Sequence, residues 1–254
     1  MELRSLYVEP EQPAAPLLWP ALELHDVFKI FRSGPTETVA LRGLDLEVDP
    51  GELVAILGPS GCGKSTLLSL AAGLDQPSAG EVRSFGRSLT RLDEAELARY
   101  RARDVAVVFQ GDNLWPALTA TENVVTSLRL AGHEAPGDAA GAALAEFGLA
   151  SRGDQRTRSL SGGEQQRVAI AAAAARNARL VLADEPTGEL DAENERRVIA
   201  ALERLSRHHQ STVLVVTHSP RVAGAADRVV ELRDGELAPR APRARRSCSA
   251  CAAT

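Results

Sequence analysis

The sequence has few cysteines, no long hydrophobic run and no excess of positive charge. It contains 3 cysteines in 254 residues, one of them inside a glycine-rich motif, which argues against a disulfide framework and indicates a reducing compartment. The longest uncharged apolar stretch, 168–175, is far shorter than the roughly 18 residues that a membrane-spanning helix needs. The formal net charge of -5 gives no electrostatic reason to expect nucleic-acid binding.

The two ends of the chain differ in composition from the middle. The first residues, MELRSLYVEPEQP, lack a basic region followed by an apolar core, so no signal peptide is expected. A stiff N-terminal extension is predicted over residues 1–20, because this segment contains Pro10, Pro13, Pro16 and Pro20. Residues 239–254 are rich in Ala, Pro and Arg and contain no acidic residue, which predicts a disordered basic tail.

The predicted tail also contains a pair of cysteines, Cys248 and Cys251, in a C-x-x-C spacing. No second pair of ligands and no strand–helix context surround them, so a solvated tail is favoured over a zinc or redox site. The arginines of the tail could contact anionic lipid, and that stays an open hypothesis.

Between the ends, the apolar pattern predicts an α/β fold. Residues 22–31 and 41–49 alternate between apolar and polar side chains, as half-buried antiparallel strands do. Short runs that are wholly apolar, or apolar between two threonines at 212–217, predict strands buried on both faces, at 53–57, 105–109, 180–183 and 212–217. Helical patterns cover 65–72, 93–101, two segments within 119–148, and the alanine-rich stretch 161–176. A small hairpin closes the fold at 229–232 and the Asp234-Gly235 turn.

Buried strands that alternate with helices predict a mostly parallel sheet covered on both faces. The alternating strands at the start predict an antiparallel β sub-domain. The helical insert predicts a helical sub-domain at about 111–160. Together these elements predict one domain over residues 21–238.

A phosphate-binding loop is predicted at Gly58–Ser65, where GPSGCGKS matches G-x-x-x-x-G-K-[ST]. Its glycines let backbone N–H groups approach phosphates, and the following helix N-terminus adds partial positive charge. Lys64 is expected to reach the β- and γ-phosphates, and Ser65 to bind Mg²⁺. A chance glycine-rich turn is the alternative, and the strand before the loop and the helix after it argue against that alternative.

Two adjacent carboxylates, Asp184 and Glu185, follow the apolar run 180–183. In enzymes with a phosphate loop, an aspartate at such a strand end helps to hold Mg²⁺. The neighbouring carboxylate can then orient or deprotonate the attacking water. Without the phosphate loop, the start of a solvated loop or a helix cap would be the more common explanation for this pair.

A third motif, LSGGEQQR, opens the alanine-rich helix. Ser161 and Glu164 fit a capping box. The intervening Gly162 and Gly163 are each unfavourable by about 1 kcal/mol relative to alanine, so stability does not explain them. Bare backbone N–H groups at a helix N-terminus form an anion site.

LSGGEQQRVAI resembles the signature motif of ATP-binding cassette (ABC) ATPases, and the rest of that pattern follows in order over 22–237. Gln110 after VAVVF matches the Q-loop glutamine, and Asp184-Glu185-Pro186 matches the Walker B region. GELD at 188–191 resembles the D-loop, and His218 after TVLVVT matches the switch histidine. Phe31 lies where the family places an aromatic ring on adenine, more often a tyrosine.

The resemblance implies a P-loop NTPase core and a homodimer that sandwiches two ATP molecules head to tail. One copy would bind ATP with Phe31, Gly58, Pro59, Ser60, Gly61, Cys62, Gly63, Lys64, Ser65 and Thr66, and the opposite copy with Ser161, Gly162, Gly163 and Glu164. Mg²⁺ would contact Ser65, Gln110 and Asp184. Glu185, His218 and Gln110 would be catalytic, and Asp191 would touch the opposite subunit.

The stretch 113–124 and the sequence ADEPTGELD resemble the lipoprotein-release and macrolide-export branch of the family. That resemblance implies a separate integral membrane permease as partner, with the chain held at the cytoplasmic face of the membrane. Leu114, Trp115 and Leu118 would contact this partner, and internal packing of the same side chains is the alternative. Glu189 departs from the family's D-loop without an evident consequence.

The function predicted from these motifs is ATP hydrolysis that powers export or mechanical work by a membrane subunit. A soluble ABC-type ATPase is the alternative, although relatives of that kind usually carry a coiled coil, zinc modules or a second cassette, and none is present here. A partner-binding module without hydrolysis is disfavoured, because it would not need Glu185, Gln110 and His218 together.

Overall fold

The computed structural model of the chain describes residues 19–34 and 36–238. The predictions for most of the N-terminal extension and for the tail with Cys248 and Cys251 therefore lie outside the described residues. Within them, the predicted α/β class is confirmed. None of the described helices is long and apolar enough to cross a bilayer.

The described residues form strands and helices that are numbered in chain order. The strands are β1 (Leu22–Ser33), β2 (Thr36–Val48), β3 (Leu53–Leu57), β4 (Ala79–Ser84), β5 (Arg87–Ser88), β6 (Val105–Val108), β7 (Leu180–Asp184), β8 (Thr212–Thr217), β9 (Arg228–Arg233) and β10 (Glu236–Leu237). The helices are α1 (Lys64–Ala71), α2 (Glu94–Arg103), α3 (Ala120–Leu130), α4 (Pro136–Glu146), α5 (Gly162–Ala175), α6 (Ala192–His208) and α7 (Pro220–Ala225). Short 3₁₀ turns lie at Leu89–Arg91, Ala150–Arg152 and Thr157–Ser159.

A 6-stranded sheet in the order β10-β9-β3-β8-β7-β6 forms the centre of the molecule. Its strands are parallel except for the β9–β10 hairpin. Leu57 is in register with Thr217, and Val216 is in register with Asp184, so β3, β8 and β7 end at the same edge. The predicted parallel sheet is confirmed, and the loops that leave this edge are brought close together.

A 4-stranded antiparallel sheet in the order β2-β1-β4-β5 covers one side of the core. Its buried side chains, with those of α1, α2 and one face of the central strands, form a single apolar cluster. The predicted pairing of β1 with β2 is confirmed. The sequence patterns do not predict β4, because Val82 is its only buried apolar side chain and no alternation results.

Helices α3 to α6 pack with the other face of the central sheet into a second apolar cluster. In α5 the run 171–174 is buried, and its small side chains permit close packing. The sequence patterns do not predict α6, whose first six residues, AENERR, are polar or small. Its buried stripe of Val198, Leu202 and Leu205 begins only afterwards.

Candidate nucleotide-binding site

The loop between β3 and α1 leaves the carboxyl edge of the central sheet and ends at the N-terminus of α1. Gly61 and Gly63 have φ values of 79° and 107°, a left-handed conformation that glycine adopts without strain. The nitrogen of Gly235 donates to the carbonyl of Cys62 at 3.1 Å, so the β9–β10 turn supports the loop. The result is a curled backbone that can present N–H groups to an anion.

Two positions of the loop have no room for a side chain, because backbone atoms of neighbouring strands lie close to them. A Cβ on Gly58 would lie 2.3 Å from the carbonyl oxygen of Leu232. A Cβ on Gly63 would lie 2.5 Å from the carbonyl oxygen of Ala40. Both neighbours are backbone atoms, so larger side chains would displace the strands that hold the loop. Cys62 is buried beneath the loop.

Lys64 is the first residue of α1 and lies beneath the loop with 9% of its surface exposed. Its Nζ donates to the carbonyl oxygens of Gly58 and Pro59, at 2.8 and 2.9 Å. The ammonium group is therefore held inside the curve of the loop. Ser65, the next residue, is exposed.

The acidic pair lies at the same edge of the sheet. Asp184 is the last residue of β7, and Glu185 follows with a φ of 46°. Its backbone nitrogen donates to the carbonyl of Val216 at 2.9 Å, which fixes this unusual conformation. The carboxylate is partly buried, with 18% of the side chain exposed, whereas the side chain of His218 is 77% exposed.

Glu185 and His218 are in direct contact. Nδ1 of His218 lies 3.0 Å from Oε2 of Glu185, and the backbone nitrogen of His218 donates to the same oxygen at 3.3 Å. Ser219, next to His218, donates through Oγ to Glu195 at 2.7 Å. This bond lowers the pKa of Glu195 more than its burial raises it. The segment that carries His218 is thereby anchored to α6.

Gln110 follows β6 by two residues and is exposed. Its side chain lies against Gly188, because a Cβ on Gly188 would be 2.8 Å from Nε2 of Gln110. Gly188 in turn donates to the carbonyl of Glu185 at 2.9 Å. The structure thus brings Gln110 next to the segment that begins with the acidic pair.

Ser161 is the N-cap of α5, and the predicted capping box with Glu164 is present. Glu164 also accepts a hydrogen bond from Nε of Arg152 at 2.8 Å. Burial acts to raise the pKa of Glu164, but the hydrogen bond from the Ser161 backbone and the Arg152 guanidinium outweigh it, and the net pKa is lowered. The helix therefore starts with an ionised, firmly held carboxylate.

Gly162 and Gly163 face the start of α6. A Cβ on Gly162 would lie 3.3 Å from Cδ2 of Leu190, and one on Gly163 would lie 2.6 Å from Oδ1 of Asn194. The atoms nearest to these glycines thus belong to the segment after the acidic pair, and not to the phosphate loop of the same chain. An anion site at Ser161–Gly163 would therefore be separate from the one predicted at the phosphate loop of the same chain.

Asp191 caps α6 and accepts hydrogen bonds from the backbone of Glu193 and Asn194 at 3.0 and 2.8 Å. The bond from the Asn194 backbone is the main cause of a lowered pKa at Asp191. The geometry explains Asp191 as a helix cap, and its contact with an opposite subunit stays a prediction.

Phe31 lies near the end of β1 with 46% of its surface exposed. Nζ of Lys29 lies over its ring, 5.0 Å from the centroid. The same ammonium group donates to Asp75 at 2.6 Å and to the carbonyl of Gln76 at 2.8 Å. Phe31 is thus a surface ring and not part of the sheet core, which suits a planar ligand.

The residues after Gln110 present both buried and exposed apolar groups. Leu114 packs against the helical core cluster, which agrees with internal packing. Trp115 is 51% exposed, and its backbone is held by Asn123 at 2.8 Å and by Thr157 at 2.9 Å. Leu118 is intermediate in exposure. Trp115 is the outward-facing member of the three.

No group of three or more His, Cys, Asp or Glu side chains in the described part of the chain could enclose a metal ion. Mg²⁺ does not need such a group, because it commonly binds one or two carboxylates together with substrate phosphates and water. Asp184 and the exposed Ser65 offer a carboxylate and a hydroxyl at neighbouring positions of the sheet edge. This set of hard oxygen donors fits Mg²⁺ and argues against a softer metal.

The sequence patterns assign no role to three residues that hold this site together: Asn113, Arg152 and Gln166. Asn113 and Gln166 bind the backbone of the Gln110 loop. Arg152 binds Glu164. Asn113 and Gln166 stand within patterns already described, but those patterns do not show that Gln166 binds a loop 56 and 57 residues away or that Arg152 binds Glu164.

Comparisons with known proteins agree on one family. The family described as "ABC transporter" matches residues 41–188. The lipoprotein-releasing system ATP-binding protein LolD of Anaeromyxobacter dehalogenans is 46% identical over 235 residues, which cover 91% of this chain and 98% of that protein. The macrolide export ATP-binding/permease protein MacB of Marinobacter nauticus is 46% identical over 86% of this chain but only 34% of its own length.

Solved structures show the same fold. The ATP-binding cassette MJ0796, solved as a dimer in a post-hydrolysis state bound to ADP and Pi, superposes with a TM-score of 0.79 and 38% identity. The alignment covers 85% of this chain and 96% of that one. CbiO1 of Clostridium perfringens, part of the ABC transporter complex cbiONQ, has a TM-score of 0.75 at 25% identity.

Proposed function

This chain belongs to the ABC transporter family, and from that premise we propose how its residues use ATP to drive a membrane partner. It is an ATPase subunit that hydrolyses ATP to ADP and phosphate, and it works as a dimer with integral membrane subunits. The contact between Glu185 and His218 at the edge that carries the phosphate loop supports the proposal most directly.

Glu185 is proposed as the general base. Its carboxylate lies at the carboxyl edge of the sheet that also carries the phosphate loop, and the attacking water is proposed to lie between them. His218 holds that carboxylate and is exposed enough to reach the γ-phosphate itself. General-base catalysis of this kind contributes about 10²- to 10⁴-fold to rates. Gln110 is proposed to bind the attacking water beside Glu185.

ATP is proposed to lie along the phosphate loop, with its phosphates on the loop N–H groups and Lys64. The adenine would stack on Phe31, whose ring is exposed for this purpose. Ser65 and Asp184, with Gln110 nearby, would hold Mg²⁺, which when bound neutralises charge that develops on the phosphates. Every other contact in this scheme comes from the chain's own side chains and backbone.

Closing the site is proposed to require a second copy of the chain. Ser161, Gly162 and Gly163 are proposed to bind phosphate, and the atoms nearest to the two glycines belong to Leu190 and Asn194 and not to the phosphate loop of their own chain. A head-to-tail dimer would place this site on the γ-phosphate bound to the opposite copy. Binding of ATP would then close the dimer, and hydrolysis would open it.

The membrane partner is proposed to bind the surface around Trp115, which is exposed and follows the Gln110 loop. The relatives include a lipoprotein-releasing system protein and macrolide export proteins, so release or export is the favoured direction. Through this partner the chain would lie peripherally at the cytoplasmic face of the membrane.

The test is the oligomeric state of a chain that binds ATP without turning it over. Glu185→Gln is expected to reduce kcat by about 100-fold or more, because an amide cannot accept the proton. In size-exclusion chromatography, ATP should convert this variant from monomer to dimer.

Two further substitutions serve as controls for that dimer. Lys64→Ala should abolish it through loss of ATP binding. Gly162→Glu should abolish it by placing a carboxylate where the partner's phosphate would lie, while ATP binding is kept. Turnover of Glu185→Gln at the wild-type rate would overturn the role of Glu185. A dimer that survives Gly162→Glu would overturn the head-to-tail arrangement.

A further inference from the structure

A buried amide side chain joins the Gln110 loop to the helix that carries the second anion site. Gln166 lies on the second turn of α5 and is 4% exposed. Its Nε2 donates to the carbonyl oxygens of Phe109 and Gln110, at 2.9 and 2.6 Å. Both donors of the amide are thus used on the backbone of the loop, 56 and 57 residues away in sequence.

Asn113 completes this connection from the other side. Its Nδ2 donates to Oε1 of Gln166 at 3.1 Å and to the carbonyl of Phe109 at 2.7 Å. Its Oδ1 accepts from the nitrogen of Phe109, also at 2.7 Å. Every polar atom of the Gln166 amide therefore has a partner in the loop 109–113, so a displacement of the loop would break several hydrogen bonds in a buried place.

The two ends of this connection lie at two parts of the proposed ATP site. At one end, the Gln110 side chain lies against Gly188, in the segment that follows Glu185. At the other end, Gln166 is little more than one helical turn from Ser161–Gly163. A helix turn is rigid, so movement at Gln166 is carried to the N-terminus of α5.

We propose that Gln166 is a positioning residue that couples the Gln110 loop to the N-terminus of α5, so that ATP at one site sets the orientation of the anion site offered to the other. The inference rests on the proposed roles of Gln110 and of Ser161–Gly163. Gln165, the preceding residue, has no part in the coupling, since its Nε2 donates to the carbonyl of Leu160 within the same segment.

The test measures this coupling inside one chain, without a dimer. The background is the full chain with Glu185→Gln, to prevent turnover, and Gly162→Glu, to prevent pairing. A Cβ on Gly162 would meet only Cδ2 of Leu190, at 3.3 Å, and a carboxylate in the first turn of a helix is favourable, so α5 should stay intact. Hydrogen–deuterium exchange is followed with and without ATP and Mg²⁺ for peptides covering 109–113 and 163–170.

In this background ATP should slow exchange in both peptides, by about fivefold or more at α5 if the coupling is of ordinary size. Gln166→Met keeps the side-chain length but removes the amide. It should abolish the response of 163–170 to ATP and keep the response of 109–113. Gln165→Met, the matched control, should keep both responses.

The proposal is overturned if α5 does not respond to ATP in the background chain, or if it still responds with Gln166→Met. Should Gln166→Met fail to fold, Asn113→Ala decides, because Asn113 is less buried and its loss breaks the loop side of the connection. Loss of the α5 response in Asn113→Ala supports the coupling, and an unchanged response overturns it. Dimer formation by Glu185→Gln alone is scored separately, so failure of the proposed function would be recognised independently.

Discussion

At the scale of single residues, Glu164 shows how one carboxylate can serve two structures. Through the capping box it satisfies the backbone nitrogen of Ser161 at 2.9 Å. Through Arg152 it ties the start of α5 to the 3₁₀ turn at Ala150–Arg152. The helix N-terminus is thus oriented by groups outside the helix, which matters because this terminus is the proposed anion site.

Glu164→Gln is expected to lower the free energy of unfolding by about 0.5–1 kcal/mol at neutral pH, since the amide keeps the cap but loses the ion pair. The folded pKa of Glu164 lies below its unfolded value. Its stabilisation is therefore fully present above the unfolded value of about 4.3 and is lost as the pH falls through the lowered value. Urea unfolding of the unmodified chain and of Glu164→Gln should show that their difference in free energy of unfolding is smaller near pH 4 than at pH 7.

Glu122→Gln is the matched control for that experiment. Glu122 occupies the same position in the capping box of Thr119 on α3, and the described residues give it no ion pair. Its substitution should lower the free energy of unfolding by less than Glu164→Gln does, with little dependence on pH. An equal, pH-independent loss in both variants would contradict the contribution assigned to Arg152.

The role of a residue could be predicted from the sequence where a short motif defines it, and not where contacts between distant segments define it. Lys64 and Glu185 stand in short patterns whose spacing follows from phosphate chemistry, and the structure brings them to one sheet edge. Gln166 stands beside Gln165 with identical chemistry. Only the fold distinguishes them, because it buries one against a loop far away in sequence and leaves the other within its own segment.

At the scale of elements, α5 is anchored at both ends. Its C-cap residue is Arg176, whose guanidinium donates to the carbonyl oxygens of Arg101 and Ala102 at 3.2 and 3.0 Å and to that of Val105. Burial lowers the pKa of Arg176, yet its three acceptors keep the guanidinium in place. The end of α5 is thereby joined to the end of α2 and the start of β6.

Arg176→Met should therefore lower the free energy of unfolding by about 2–3 kcal/mol, because buried carbonyls lose a charged donor. Arg207→Met is the comparison, since Arg207 makes an exposed pair with Glu203 within α6 and should change stability by less than about 0.5 kcal/mol. Denaturant midpoints of the two variants provide the measurement. Equal midpoints would mean that Arg176 does not anchor the helix.

Elements could be predicted from the sequence when their apolar pattern was regular. The mostly apolar β8 was predicted with its observed bounds, and the alanine-rich α5 to within a residue at each end. Helix α6 was not predicted, because its first six residues are polar or small and its apolar stripe of Val198, Leu202 and Leu205 begins only afterwards. Strand β4 was likewise not predicted, because its hydrogen bonds to β1 and β5 do not require an apolar pattern.

At the scale of the whole molecule, the proposed nucleotide site spans two sheets. Phe31 belongs to the antiparallel sheet, and the phosphate loop belongs to the central one. Lys29 connects them, since it holds Asp75 and Gln76 from the segment after α1. A bound nucleotide would join the same two parts and stabilise the molecule as a unit. Strand order across the central sheet is set by such long-range packing, and the sequence patterns do not predict it.

ADP, which does not require a partner copy, should raise the melting temperature of the isolated chain. At about 100 times its Kd it adds about 2.7 kcal/mol, or roughly 5–10 °C for a domain of this size. Phe31→Ala should reduce the rise at the same concentration, because base stacking is worth about 1–3 kcal/mol. Leu130→Ala, which removes an exposed side chain elsewhere, should keep the full rise. An undiminished rise in Phe31→Ala would contradict adenine stacking.

The left-handed backbone of Glu185 has a consequence for how this sequence can change over generations. A φ of 46° strains a residue that carries a Cβ, and glycine would adopt it freely. Selection for folding alone would therefore favour replacement at position 185, with loss of the carboxylate that faces His218. With Glu185 as the proposed general base, selection for turnover would keep the glutamate, so a library screened for thermal robustness alone should lose its hydrolytic members first at this position.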